Sequence, residues 1–324
     1  MQEYSYAQAL NQGICEEMRR DEKVMVLGED VGKYGGVFGV TRGLYDEFGG
    51  DRVRDCPLNE AAIVSFGIGL AIAGRPTICE LEFMDFLTWA MDPVTNQAPK
   101  LRYFWGGQVS VPLVVRAPVA ATLGFGSQHS QSLEAWLIHV PGLRVAMPSN
   151  GFDAKGLIKT AIRDPNPVVF IESISLYSNK TPIPDAEYLI PFGKAEIKRQ
   201  GDDVTIVALG AMVPKAILAA EALSNDGLSV EVIDPRTLAP LDINTIVESV
   251  RKTGRLVIAH LAHKTGGVGA EIAQQVTELA FDSLDGPVVR VASADVPVGA
   301  SQFLEKMLFP DVPEIIKACR SFRR

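Results

Sequence analysis

The sequence predicts an α/β protein in which a parallel sheet lies between helices, and three observations predict it. Apolar runs of strand length alternate with helical patterns almost throughout. Those runs are apolar on both faces, as strands are in sheets covered on each side. The alternation breaks once, in a turn-rich stretch, and then resumes, which divides the chain into domains 1–185 and 186–324, the second smaller. A chain of 324 residues is long enough for each to bury its own core.

The elements follow in order. An amphipathic stretch at 6–20 leads to a strand at 24–27, and a helical pattern at 60–73 to a strand at 76–81. Strands at 111–116, 143–147 and 167–171 come next, the last after a helical pattern at 152–162. Residues 173–193, centred on Tyr177-Ser178-Asn179-Lys180-Thr181-Pro182-Ile183-Pro184-Asp185, are rich in turn formers and read as a linker. Beyond it lie strands at 204–208, 230–233, 256–260 and 288–291, with helices at 213–223, 243–250 and 270–280.

Composition excludes several classes. Hydrophobic residues make up 47% and charged residues 22%, as in an ordinary globular protein. A net charge of -8 argues against sequence-independent nucleic-acid binding, which needs a basic surface. No apolar run is long enough to span a bilayer; the longest, 63–73, is interrupted by Ser65, Gly67 and Gly69. The amino terminus lacks the basic and apolar regions of a signal peptide, so a cytoplasmic location is expected. Cys15, Cys56, Cys79 and Cys319 are widely spaced and read as reduced core residues.

Four stretches could carry chemistry. In Cys56-Pro57-Leu58-Asn59-Glu60-Ala61-Ala62-Ile63 an extended segment becomes an apolar helix with a carboxylate at its mouth. Glu60 reads either as a first-turn acid favoured by the helix dipole or as a partly desolvated proton carrier. Glu82-Phe83-Met84-Asp85-Phe86, with Trp89 close behind, reads as core packing or as the wall of a ligand pocket. His129, in Gln128-His129-Ser130-Gln131-Ser132 after Gly124-Phe125-Gly126, sits at a loop tip where glycines allow close approach of a ligand. Ala161-Ile162-Arg163-Asp164-Pro165-Asn166 reads as a helix-ending turn or as a cation site. His139 reads as a partly buried residue, and His260 with His263, three apart, has the spacing of a weak metal pair. The glycines at 266, 267 and 269 open a helix that could seat an anion, but no glycine cluster has the context of a dinucleotide fingerprint.

Taken together with Gly28-Glu29-Asp30-Val31, Val140-Pro141-Gly142-Leu143 and Ile233-Asp234-Pro235-Arg236-Thr237-Leu238, these motifs span the whole chain. The chain resembles the β subunit of the thiamine-diphosphate-dependent 2-oxo acid dehydrogenase first component. The resemblance implies a transketolase-like pyrimidine-binding domain followed by a smaller α/β transketolase C-terminal domain. It further implies that Glu60 hydrogen-bonds the aminopyrimidine ring of the cofactor and so assists loss of the thiazolium C2 proton. Leu58, Glu82 and Phe86 would line the same ring pocket, and His129 would face the reacting end during acyl transfer to a lipoyl group. Ala161, Ile162, Asp164 and Asn166 match a turn that holds potassium in several relatives. Relatives usually carry a glutamate where Leu261 stands, and an uncharged side chain where Glu82 stands.

The superfamily holds the Mg2+ of the diphosphate on a Gly-Asp-Gly segment, which this sequence lacks. The diphosphate and Mg2+ are therefore expected on a partner α subunit, in a heterotetramer of two α and two β chains that serves a lipoyl-bearing acyltransferase or carrier protein. A pyruvate-like donor is favoured. The alternatives are an acetoin-cleaving β subunit, a two-subunit transketolase-like enzyme that passes a two-carbon unit to a carrier protein, and a non-catalytic scaffold chain.

Overall fold

The computed structural model describes residues 2–322, and they form two compact units. The first comprises residues 2–119 and 136–192; the second comprises 120–135 and 193–322.

The elements of the chain up to residue 183 are β1 (Gln2–Ser5), α1 (Tyr6–Arg20), β2 (Met25–Gly28), α2 (Leu44–Phe48), β3 (Val53–Asp55), α3 (Glu60–Ile72), β4 (Thr77–Glu80), α4 (Ala98–Phe104), β5 (Leu113–Val119), α5 (Glu134–Ile138), β6 (Arg144–Ala146), α6 (Gly151–Arg163), β7 (Val168–Ser173) and β8 (Lys180–Ile183). Within the first unit, β6-β7-β5-β4-β2-β3 lie side by side, every pair parallel. Strands β2, β4, β5 and β7 are buried along their whole length, as double-sided apolar runs require.

Helix α1 packs on α6. Its start is fixed by a capping box: the Ser5 hydroxyl accepts from the Gln8 N–H at 3.2 Å while the Gln8 side chain accepts from the Ser5 N–H at 2.9 Å. Its polar stripe meets that of α6 in an ion seam, with Glu16 bonded to Lys155 at 2.6 Å and to Lys159 at 2.7 Å.

Two stretches differ from expectation. The linker region holds a strand, β8, whose partner is the amino-terminal β1, running antiparallel to it. Alternation within four residues is too short to announce itself among prolines and polar groups. Between β4 and α4 the chain winds as a tight helical segment, 84–90, then as widened turns at Asp92–Gln97. Pro93 and Pro99 each lack an N–H, and regular α-helix begins only at Ala98, with Pro99 in its first turn, where no N–H is needed.

The second unit contains β9 (Glu196–Arg199), β10 (Val204–Ala208), α7 (Met212–Asn225), β11 (Val230–Asp234), β12 (Thr237–Ala239), α8 (Ile243–Thr253), β13 (Leu256–His263), α9 (Val268–Ala280), β14 (Val289–Ser293), α10 (Gln302–Leu308) and α11 (Val312–Arg320). Its sheet order is β14-β13-β10-β11-β9, parallel except for the edge strand β9. Helices α10 and α11 follow the last predicted strand; α11 is set by a capping box in which Asp311 and Glu314 serve each other's backbone.

Candidate functional site

Parallel strands deliver their carboxyl ends to one edge of the sheet, where α/β proteins bind ligands. At the neighbouring strands β3, β2 and β4 that edge is acidic. Glu29 follows β2 directly, Glu82 lies two residues beyond β4, and Glu60 opens α3 five residues after β3. All three are half-buried, with the exposed Asp30 beside Glu29. Burial pushes the Glu29 carboxyl above its ordinary range, and the charges of Asp30 and Glu60 push it further. Glu82 is raised in the same way, by burial first and then by Glu29, Asp30 and Glu60. These are like charges gathered in one place.

Helix α3 does not need Glu60 as its cap. The Asn59 side chain accepts from the Ala62 N–H at 2.9 Å, which leaves the Glu60 carboxylate free of that duty. Phe86 is half-buried and packs edge-on against Phe83, ring centroids 5.4 Å apart. Leu58 lies 67% exposed. Glu60, Glu82 and Phe86 thus belong to elements around one sheet edge, whereas Leu58 stands out into solvent. Glu29 and Asp30 were not singled out from the sequence as site residues; a polar pair directly after an apolar strand is the signal that locates them.

Beneath this edge lies a second charged group, of opposite character. Arg116 on β5 is fully buried and makes a bidentate pair with Glu172 on β7, Nε to Oε1 at 2.6 Å and Nη2 to Oε2 at 2.8 Å. Its remaining arm donates to Glu80 at the end of β4, and the Tyr177 hydroxyl donates to Glu172. Charged residues inside otherwise apolar strand runs were the available sign of this network.

The second unit holds His129 in the turn after Gly126, half-buried, its N–H donating to the Gly126 carbonyl at 3.3 Å. The segment is held by two carboxylates. Glu305 accepts from the Gly124 N–H at 2.7 Å, and the buried Glu134 accepts from the Ser132 hydroxyl at 2.6 Å. Burial raises the Glu134 carboxyl, opposed by the Ser132 bond, its own backbone N–H and the charge of His263.

His260 and His263 have different surroundings. His260 is fully buried, neither ring nitrogen makes a hydrogen bond of ordinary geometry, and burial with the charge of Arg290 lowers it to about 4, against a weak opposing contact from the Ala262 backbone. His263 is half-buried, and its Nδ1 lies 2.7 Å from the Ala294 carbonyl. They lie on either side of an irregularity in β13 and belong to no metal-holding group among the described residues. The glycines at 267 and 269 have a packing reason: a Cβ at either would come within 2.7 Å of the His260 ring. His139, expected to be partly buried, is exposed.

At the turn after α6 the side-chain oxygens are engaged. Asp164 pairs with Arg144 at 2.7 Å through Oδ2 and accepts from Asn166 through Oδ1, while the Asn166 carbonyl accepts from Arg102 at 3.3 Å. The Ala161 carbonyl accepts from the Asp164 N–H at 3.2 Å. Among the described residues no group of three or more His, Cys, Asp or Glu side chains is arranged to hold a metal ion.

A doubly wound sheet with proton-carrying groups at its carboxyl edge, followed by a second such unit, defines an α/β enzyme subunit. Comparison with known proteins makes this specific. Residues 2–180 match the transketolase pyrimidine binding domain and residues 193–315 the transketolase C-terminal domain. The chain is 45% identical over 322 residues to the pyruvate dehydrogenase E1 component subunit beta-1, mitochondrial, of Oryza sativa subsp. japonica, covering 98% of this chain and 86% of that protein. It is 42% identical to the pyruvate dehydrogenase E1 component subunit beta of Staphylococcus epidermidis, covering 99% of both. It is 44% identical over 294 residues to the 2-oxoisovalerate dehydrogenase subunit beta of Bacillus subtilis, covering 90% of each. A solved structure described as a split gene transketolase, inactive beta4 tetramer, shares the fold with a TM-score of 0.80 at 23% identity, over 98% of this chain and 97% of that one. The chain belongs to the family of 2-oxo acid dehydrogenase E1 β subunits, a thiamine-diphosphate-dependent family with transketolase-type domains.

Proposed function

We propose that the protein is the β subunit of an acyl-transferring 2-oxo acid dehydrogenase acting on a pyruvate-like donor, and that it supplies the pyrimidine half of the cofactor site. The observation that supports this most is the crowd of carboxyls at the strand edge of the pyrimidine-binding unit, with Glu60 free of capping duty among them. Thiamine diphosphate, when bound, supplies the electron sink for loss of carbon dioxide. Glu60 holds a proton at the aminopyrimidine N1′, donating from its carboxyl when the ring nitrogen is bare and accepting when the nitrogen carries hydrogen. Glu29 and Glu82, whose own protons are held more tightly than usual, set the charge that Glu60 meets. The ring of Phe86 offers an apolar face, and Leu58 becomes covered when the site is completed. His129 moves a proton at the acyl acceptor, a lipoyl group on a partner acyltransferase or carrier protein.

The diphosphate and its Mg2+ fit another chain better than this one, since the sequence has no Gly-Asp-Gly segment. An α subunit is therefore the proposed partner, in a tetramer of two α and two β chains. Helix α3 is apolar almost all round yet exposes Phe66 and Ile72, and Trp89, Tyr103, Phe104 and Trp105 are exposed nearby in sequence. Exposed aromatic and aliphatic side chains of this number are ones that a partner would cover. Potassium at the turn 161–166 would rest on oxygens of Ala161, Ile162, Asp164 and Asn166, of which the Ala161 carbonyl and the side chains of Asp164 and Asn166 already accept hydrogen bonds. The cytoplasm is the proposed compartment; among the described residues no helix is long and apolar enough to cross a membrane.

Co-expression with the α partner, followed by assays with pyruvate, branched 2-oxo acids, acetoin and ketose phosphates, tests the reading. Turnover of pyruvate above the others is expected. Turnover of ketose phosphate alone would replace it with the transketolase-like alternative.

A further inference from the structure

A cavity of about 430 Å³ lies in the second unit beside α10, lined by Thr122, Lys215, Gln302, Glu305, Lys306 and Phe309. Glu305 is the informative member. It is 2% exposed, and its two oxygens differ. Oε2 accepts from the Gly124 N–H at 2.7 Å, whereas the buried Oε1 has no hydrogen-bond partner among the described residues. An acceptor withdrawn from water and left bare is unfavourable, so the cavity lacks one hydrogen at that atom. Burial pushes the carboxyl above its ordinary range, against the pull of the Gly124 N–H, in keeping with a group that shares a proton.

The remaining polar groups are mainly donors. Lys306 is exposed and makes no ion pair or hydrogen bond among the described residues, and the Thr122 hydroxyl and Gln302 amide are likewise unbonded there. Lys215 has only long contacts, with Asp311 at 3.3 Å and the Pro310 carbonyl at 3.5 Å, and Asp311 is also engaged at the start of α11, where it accepts from the Val312 N–H at 2.8 Å. The wall is firmly set. Thr122 has a φ of 74°, which a β-branched residue keeps only where its surroundings fix it, and a Cβ on Gly124 would lie 3.2 Å from the Gln302 side chain. The buried Phe309 supplies an apolar side.

Two demands thus meet in one cavity. The ammonium and hydroxyl donors call for an anion with several acceptor oxygens, and Glu305 Oε1 calls for a hydrogen. A phosphoryl group that still carries one hydrogen meets both, whereas an ionised carboxylate or sulfate brings acceptors alone. We propose that this cavity binds a hydrogen phosphate group, free or on a small ester, with its P–OH donating to Glu305 Oε1 and its charged oxygens accepting from Lys306 and Thr122. The volume leaves room beyond the phosphoryl group for an organic body against Phe309.

The test is titration calorimetry on the assembled α–β complex, saturated with thiamine diphosphate and Mg2+ so that the cofactor's own diphosphate seat is filled. The probes are inorganic phosphate, phenyl phosphate and sulfate at about pH 6, where the phosphoryl probes retain a hydrogen and sulfate does not. Phosphate should bind once per β chain, and sulfate at least tenfold more weakly. Lys306→Met, at an exposed position, should weaken phosphate at least tenfold. Glu305→Gln keeps an oxygen for Gly124 and replaces the bare oxygen by an NH2 donor, so sulfate should then match phosphate. Phenyl phosphate bound more tightly than inorganic phosphate assigns the site to an ester, and equal affinity assigns it to the free ion. No binding of either phosphoryl probe, sulfate equal to phosphate in the parent, or phosphate binding unchanged in Lys306→Met overturns the proposal. The heat of binding is read without turnover, so the result stands apart from the identity of the 2-oxo acid.

Discussion

Two charged groups occupy the same sheet of the first unit, and they differ in almost every respect. Arg116, Glu80, Glu172 and Tyr177 are buried, opposite in sign where they touch, and joined by hydrogen bonds. Glu29, Asp30, Glu60 and Glu82 at the strand ends are partly open to solvent and alike in sign. A group whose charges attract holds a fold together. A group whose charges conflict holds protons, because the charges of Asp30 and Glu60 make Glu29 and Glu82 harder to ionise. Two residues, from Glu80 at the end of β4 to Glu82 beyond it, thus separate the buried network from the proposed proton-holding group.

The sharpest way to break this distinction is Glu60→Gln. Turnover by the assembled enzyme should fall about 10²- to 10⁴-fold, the range of a lost proton-transfer group, while its melting temperature stays unchanged. Arg116→Ala should do the reverse, costing about 3–5 kcal/mol in urea unfolding because two carboxylates are left buried without their cation. Activity lost with stability intact in that variant would mean that the buried network takes part in the chemistry.

A smaller effect concerns pH. His260 titrates at about 4 in the fold against 6.5 when unfolded, so the unfolded chain binds the extra proton between these values. Stability should therefore be complete above pH 6.5 and fall as pH drops toward 4, by about 3 kcal/mol in total. His260→Leu should flatten that slope in thermal scans. The smallest change expected is from Glu82→Gln. Glu82 has a raised carboxyl, so its ionised form is penalised in the fold and the penalty grows as pH rises through its folded range. The variant should melt slightly higher than the parent at neutral pH and identically in acid below the ordinary carboxyl range. A lower melting point at neutral pH would show that Glu82 has a cationic partner instead.

The sheets were legible because double-sided apolar strands and amphipathic helices repeat at strong periods. Glu60 stood out as a carboxylate where an extended segment becomes a helix, and His129 as an imidazole at a loop tip after glycines, whereas Glu82 was singled out only through the family resemblance. What escaped was non-local. β8 pairs with β1 across nearly the whole first unit, and its register depends on neither strand alone. Glu29 was not singled out as a site residue, and it is the pairing of β3, β2 and β4 that brings it toward Glu60. The triad of Arg116 was hidden because each member lies on a different strand. The glycines at 267 and 269 were read as opening a helix that could seat an anion; the room they leave for the His260 ring is a contact that no local pattern encodes.

The most direct test of the half-site is a binding titration of thiamine diphosphate with Mg2+ into this chain alone and into its complex with the α partner. Weak or undetectable binding by the chain alone is predicted, and tight binding by the complex that Glu60→Gln weakens. Tight binding by the isolated chain would contradict the account.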